Sequence, residues 1–233
     1  MKLSVIIPAY NEKNTVASII HSILAVQIPS PLEKELIIVD DGSTDGTKEE
    51  LQQFQHDPRI KIFFHEKNQG KTAAVRLGIK QATGHIVLFQ DADLEYSPEN
   101  YPQLLRPILN GEAVIVYGSR FLGKIKNMAW INRLANNLSM FTINLLYGSQ
   151  ITDFHTCFKV IKKDILDKIP ITSERFSFDT EITARLLRKG YAIHEVPISY
   201  AARSRAEGKK ITWGTAIETY LFLLRYRFFP DQN

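Results

Sequence analysis

Short runs rich in Ile, Val, Leu and Phe alternate with amphipathic helical segments through the first half of the chain, and this rhythm limits the fold more than any other feature. The runs span 3–8, 35–40, 60–65, 85–91 and 113–118. Between them, 14–26, 45–55, 71–82 and 98–109 carry helical spacing and are punctuated by Gly, Pro and Asp. Such alternation predicts an α/β fold with a mostly parallel sheet covered by helices. In sheets of that kind ligands lie outside the carboxyl ends of the strands, so polar residues just after a strand are the ones to weigh. A chain of 233 residues has room for one large domain with its own core.

Beyond residue 120 the rhythm weakens. Residues 128–147 read as a helix, but Asn132, Asn136, Asn137 and Asn144 interrupt the ~20 apolar residues that a membrane span requires. A core or interfacial helix is expected there, with another helix at 178–189. At 215–229, Leu, Phe and Tyr mix with Arg225 and Arg227, which fits a helix lying in a membrane interface as well as one docked on the core.

Cys157 is the sole cysteine, which excludes an internal disulfide and a cysteine-based zinc site. With no signal-peptide pattern at residues 1–12, a cytoplasmic protein is expected. Charge is polarised: residues 1–119 hold 11 Lys+Arg against 15 Asp+Glu, whereas 120–233 hold 18 against 10. An acidic half suits a metal cation, and a basic half suits anionic substrates or lipid head groups.

Four polar clusters follow the first four runs: Pro8-Ala9-Tyr10-Asn11-Glu12, Asp40 to Gly46, Asn68-Gln69-Gly70-Lys71, and Asp91-Ala92-Asp93-Leu94-Glu95. Asp40 and Asp41 repel one another unless donors bind them, and nucleobase or ribose groups would serve. In an extended segment Asp91, Asp93 and Glu95 would point the same way. Hard oxygen ligands so gathered suit Mg²⁺ or Mn²⁺ with a substrate diphosphate.

Lys71 supplies a point charge for donor phosphate or simply starts a helix. A P-loop is ruled out because His65 stands where Gly is needed, and no Gly-x-Gly-x-x-Gly follows the first strand. Basic groups recur at Arg120, Lys124, Lys126 and Arg133, and at Arg203, Arg205, Lys209 and Lys210. Arginine forks match phosphate oxygens. Nucleic acid is not expected as a partner, since aromatics are not interleaved with these charges and the acidic mouth repels a polyanion.

The strings VIIPAYNE, IIVDDGSTDGT, KNQGKTAAVRLGI, ATGHIVLFQDADLE, GSR, TDFHTCFK, FDTE and RSRAEGKKI, in that order, resemble family-two glycosyltransferases, and more narrowly dolichyl- or polyprenyl-phosphate hexose synthases. The resemblance implies a GT-A fold. It implies a single domain over 1–211, with a nucleotide-sugar half (1–95) and an acceptor half (96–211), followed by a C-terminal amphipathic helix (212–233). Pro8, Ala9, Tyr10, Glu12, Asp40, Asp41, Asn68, Lys71, Asp91, Ala92, Asp93, Arg203 and Lys209 are implied on the donor side. Asp91, Asp93 and Glu95 are implied to hold Mg²⁺ or Mn²⁺, and Arg120 and Arg133 to face the acceptor phosphate.

The implied reaction is an inverting transfer of a hexose from UDP-glucose or GDP-mannose to a polyprenyl phosphate, by a protein peripheral on the cytosolic face of a membrane. Room is left for a separate membrane-protein partner. Cys157 replaces a glycine of many such synthases and Glu95 a glutamine of mannose-type ones, so sugar and acceptor stay open. A sugar hydroxyl acceptor would require a base, for which Asp153 is the candidate. A nucleotidyltransferase, or a non-catalytic nucleotide- or membrane-binding protein, is the alternative of another class.

Overall fold

The computed structural model describes residues 1–173, 177–203 and 213–229. A seven-stranded sheet runs in the order β3-β2-β1-β4-β6-β5-β7. Its strands are β1 (Lys2–Ala9), β2 (Glu33–Asp40), β3 (Ile60–Phe64), β4 (Ile86–Phe89), β5 (Ile115–Lys126), β6 (Lys159–Lys162) and β7 (His194–Ala201). The helices are α1 (Val16–Ala25), α2 (Thr47–Gln52), α3 (Lys71–Gln81), α4 (Tyr101–Leu109), α5 (Trp130–Tyr147), α6 (Lys163–Leu166), α7 (Phe178–Arg188) and α8 (Trp213–Phe228).

Both faces of the sheet are covered, which explains why the central strands read as continuous apolar runs. Val5, Ile7, Leu36, Ile38 and Leu88 join one core with Ile19, Ile20 and Ile23 of α1 and Leu104 and Leu105 of α4. Their neighbours Ile6, Ile37, Val87 and Phe89 join a second core with Val75 of α3 and Phe178, Ile182 and Leu186 of α7. Each such side chain fully withdrawn from water contributes roughly 1.5–3 kcal/mol. A third, smaller cluster joins Met140 and Ile143 of α5 to Leu223 and Tyr226 of α8.

Strands β1 to β4 are mutually parallel. β6 is antiparallel to both β4 and β5, and β5 and β7 are parallel. Six strands therefore end at one edge of the sheet, while β6 begins there. The reversal delivers residues 152–158, which lead into β6, to the edge where the other strands exit. β6 and β7 were not anticipated from the periodicity. β6 is two apolar residues between two lysines, and β7 contains Pro197, which the sheet tolerates because β7 is an edge strand.

β5 continues past the expected end at Gly118 to Lys126, with a register shift against β7 between Ser119 and Lys124. An added Cβ on Gly123 would lie 1.9 Å from the Ile198 carbonyl oxygen, so only glycine lets the strands close again after the bulge. Arg120 stands at the start of that bulge.

A candidate donor and acceptor site at the strand ends

The first two loops at the carboxyl edge are stitched together. The Asn11 backbone N–H donates to Ser43 Oγ at 2.9 Å, Thr44 N–H donates to Asn11 Oδ1 at 2.9 Å, and the Ser43 hydroxyl donates to Asp40. Asp40 is buried; burial pushes its carboxyl up, and the bonds from Ser43 oppose that.

Asp41, expected on the donor side, is held within the protein. Its two oxygens accept from the Gln69 N–H at 3.0 Å and the Gly70 N–H at 2.7 Å, and His65 Nδ1 lies 2.7 Å away. Those bonds hold the loop before α3 against the strand end. Gly42 makes the approach feasible: its φ is +72°, and a Cβ there would sit 2.6 Å from the Lys67 carbonyl carbon. Around the rim Pro8 and Tyr10 are half-buried, Ala9 is buried and Asn68 is exposed.

The acidic loop is a turn rather than an extended segment. Leu94 adopts φ +62°, a left-handed conformation rare for a bulky residue, and the Glu95 N–H folds back onto Asp93 Oδ1 at 3.1 Å. A strand's alternation therefore does not set the side chains of Asp91, Asp93 and Glu95: Asp91 is paired apart from the other two, which both meet Arg203. Asp91 pairs with Lys71 Nζ at 2.7 Å. Glu95 accepts from the Tyr200 hydroxyl and from the Arg203 backbone N–H, both at 2.7 Å. Asp93 lies 3.2 Å from Arg203 Nη2.

Among the described residues no three Asp, Glu, His or Cys side chains already form a ligating cage. Burial, with the charges on Asp91 and Glu95, outweighs the opposing pull of Arg203 and pushes the Asp93 carboxyl up to about 7. Arg203 also forks onto Glu12, at 2.9 and 3.2 Å. Lys209, expected beside it, lies outside the described residues.

Behind Asp91 runs a chain of alternating charge that the sequence did not reveal. Lys71 also approaches Asp179 of α7 at 4.0 Å, and Asp179 is paired with Lys159, whose side chain is wholly buried at the start of β6. Burial pulls the Lys71 ammonium down, but Asp91 and Asp179 more than reverse it, so the charge persists. The Asp91 N–H donates to Cys157 Sγ at 2.9 Å, which is how the residue in the expected glycine position meets the acidic loop. The only local signal for Lys159 is a lysine opening an apolar strand, and nothing local marks its partner 20 residues later.

Across the mouth, Arg120 donates through Nε and Nη2 to both oxygens of Asp153 at 2.7 and 2.8 Å, and its backbone N–H adds a third bond at 3.0 Å. Its guanidinium lies 5.1 Å from the Tyr200 ring centroid. Asp153 is fully buried, and Glu195 caps its backbone N–H at 2.9 Å. With both oxygens inside a guanidinium fork, Asp153 is not placed to take a proton from a hydroxyl. It holds Arg120. Arg133 is exposed on α5, three residues before Asn136, whose Oδ1 lies 3.4 Å from Arg120 Nη2.

The sequence profile described as Glycosyl transferase family 2 matches residues 4–170. The chain belongs to this family. Among curated relatives, the family member named dolichol-phosphate mannosyltransferase from Pyrococcus furiosus is 32% identical over 215 residues, 90% of this chain and 59% of that protein. The dodecaprenyl-phosphate galacturonate synthase of Rhizobium johnstonii is 24% identical over 99% of this chain and 69% of its own length. The chain thus spans about three fifths of the first relative's length and about two thirds of the second's.

The GT-A fold is shared with glucosyl-3-phosphoglycerate synthase from Mycobacterium tuberculosis, whose crystal structure contains Mn²⁺, UDP and phosphoglyceric acid. Its TM-score is 0.75 at 22% identity, covering 99% of this chain and 80% of that one. The α/β architecture, the mostly parallel sheet and the family expected from the motifs agree with these findings.

Proposed function

We propose that this family-two protein is an inverting hexosyltransferase that moves a sugar from a nucleoside-diphosphate donor to a polyprenyl phosphate at a membrane surface. One observation carries the reading. A carboxylate loop centred on Asp93 and a guanidinium locked by a buried carboxylate, Arg120 on Asp153, meet at the same sheet edge. The names of the Pyrococcus and Rhizobium relatives support a lipid phosphate as acceptor.

A phosphate monoester is already anionic at pH 7, so an arginine is needed to orient it and no base is needed to activate it. That matches an Asp153 occupied with Arg120 and favours a phosphate over a sugar hydroxyl. Arg120 Nη1, which the bonds to Asp153 do not use, is the donor left for that anion. In the transfer an acceptor phosphate oxygen bonds to the anomeric carbon from one side while the carbon–oxygen bond to the donor diphosphate breaks on the other. Lys71 and Arg203 would balance the charge released on the nucleoside diphosphate.

The donor set fits Mg²⁺ or Mn²⁺, which favour one or two carboxylates completed by substrate phosphates. Asp93 with Glu95 would hold the ion, Asp91 remaining with Lys71. Its chemistry there would be Lewis-acid stabilisation of the leaving diphosphate.

The membrane half of the reading rests on two helices. Trp130, Leu134, Leu138, Phe141 and Leu145 form one exposed face of α5, and Leu221, Leu224 and Phe228 are exposed on neighbouring α8. Lys124, Lys126, Arg133, Arg225 and Arg227 are exposed around them, and no acid occurs between Arg120 and Thr152. Bulky apolar groups rimmed by cations complement an anionic lipid surface. No helix among the described residues is long and apolar enough to cross a membrane. We place this surface on the cytosolic leaflet.

Product analysis tests the reading. Purified protein with Mn²⁺, and UDP-glucose or GDP-mannose, is offered polyprenyl phosphate, phosphoglycerate or a free sugar. A hexosyl polyprenyl phosphate with release of the nucleoside diphosphate is expected. Transfer to the free sugar alone, or release of pyrophosphate, overturns it.

A further inference from the structure

Gln90 is the first residue past β4, at the point where four apolar residues give way to the acidic loop. Its side chain is fully buried, so its amide must find partners inside the protein. It does so in an unusual way. Nε2 donates to the Asp91 carbonyl at 3.0 Å and to the Tyr96 carbonyl at 3.2 Å. Those carbonyls are the two ends of the loop that carries Asp93 and Glu95. A single amide thereby closes residues 91–96 into a ring.

The ring is anchored to rigid structure. The Gln90 N–H donates to the Ile6 carbonyl of β1 at 3.0 Å, and Gln90 Oε1 accepts from the Tyr101 hydroxyl at 3.0 Å. Tyr101 is itself fully buried at the start of α4, with its ring 5.8 Å from that of Phe158. Two carbonyl acceptors on one side and a hydroxyl donor on the other fix which way the amide faces.

Inside the ring, Leu94 holds its left-handed conformation, one that survives only where the surroundings over-determine it. Gln90 has no hydrogen bond to either the Asp93 or the Glu95 carboxylate among the described residues; its influence passes through the backbone.

We infer that Gln90, braced by Tyr101, is a positioning residue that sets the loop geometry in which Asp93 receives a divalent cation. The inference rests on the proposed reading that Asp93 binds a cation together with the donor diphosphate. It adds that the affinity of that site is set by a buried amide which touches neither ion nor substrate.

The test uses the full chain, with Gln90→Met, which keeps bulk and removes all three bonds, and Tyr101→Phe, which removes only the hydroxyl. Free Mn²⁺ is titrated by electron paramagnetic resonance in the presence of UDP or GDP, whichever the wild type binds. Nucleotide affinity is measured separately in EDTA, and amide exchange is followed at residues 92–95.

Gln90→Met is expected to weaken Mn²⁺ about tenfold, the lower end of what loss of an outer-sphere partner costs. Tyr101→Phe should weaken it less. Metal-free nucleotide affinity should change less than about twofold, and exchange at 92–95 should quicken. Unchanged Mn²⁺ affinity in both variants overturns the inference, as does an equal loss of metal-free nucleotide binding. Should Gln90→Met fail to fold, Tyr101→Phe decides alone. A wild type that binds no Mn²⁺ with either nucleotide overturns the metal reading and the affinity claim with it; exchange at 92–95 then still tells whether the amide closes the loop.

Discussion

At the scale of single residues, the site is defined by which carboxylates are spent and which are not. Asp41, Asp91 and Asp153 each have hydrogen-bonded or ionic partners that fix a neighbouring group, whereas Asp93 meets the Glu95 N–H of its own turn and a guanidinium that it shares with Glu12. Asp93→Asn should therefore lower metal-dependent transfer at least ~100-fold while leaving the fold intact. Turnover within a few-fold of wild type would remove Asp93 from the mechanism.

Asp153→Asn makes the opposite prediction. Breaking a buried pair leaves Arg120 uncompensated and should cost about 3–5 kcal/mol of stability, read as a lowered urea midpoint. A variant of normal stability but no activity would instead mean that Asp153 acts as a base. None of this was visible locally: Arg120 and Asp153 are 33 residues apart, and leucine at 94 gives no warning of a left-handed turn.

At the scale of elements, the opposite rim of the sheet is held by one buried carboxylate. Glu35, at the start of β2, accepts from Ser4 Oγ at 2.6 Å on β1, from Lys61 Nζ at 3.0 Å on β3, and from Thr83 N–H at 2.8 Å before β4. Burial alone would push its carboxyl up, but these donors outweigh it and bring it from 4.5 down to about 2. A group held lower in the folded than in the unfolded chain stabilises the fold above its unfolded value, and that stability is lost as pH falls toward the folded value. That contribution should disappear between roughly pH 4.5 and 2. Urea midpoints across that range should show it, and Glu35→Gln should flatten the slope; an unchanged slope would refute the assignment.

The same scale explains what the sequence disclosed. The four parallel strands were legible because burial on both faces makes them uniformly apolar, and the helices of that half because their spacing is regular. β6 and β7 were not, because β6 is only two apolar residues between lysines and Pro197 argues against a strand unless it lies at an edge. The loops after the first four strands could be placed from sequence alone, then, but the segment entering β6 could not.

For the whole molecule, the division of charge foreseen in the two halves acquires a spatial meaning: acids at the mouth, cations about the apolar face of α5 and α8. Leu138→Asp combined with Phe141→Asp should release the protein from vesicles containing anionic lipid in a flotation assay while nucleotide affinity stays unchanged. Continued binding would show that another surface meets the bilayer.

The guanidinium of Arg203 joins residues 191 positions apart at Glu12 and 110 apart at Asp93. Because it already occupies Asp93, a divalent ion held there as proposed would exchange with this guanidinium contact and not simply add to it. Arg203 would keep its fork on Glu12, and a diphosphate entering with the ion would offer it an anion in place of Asp93. Resting stability and ligand capture consequently draw on the same contact: whatever tightens the latch makes the empty protein sturdier and the loaded one harder to reach.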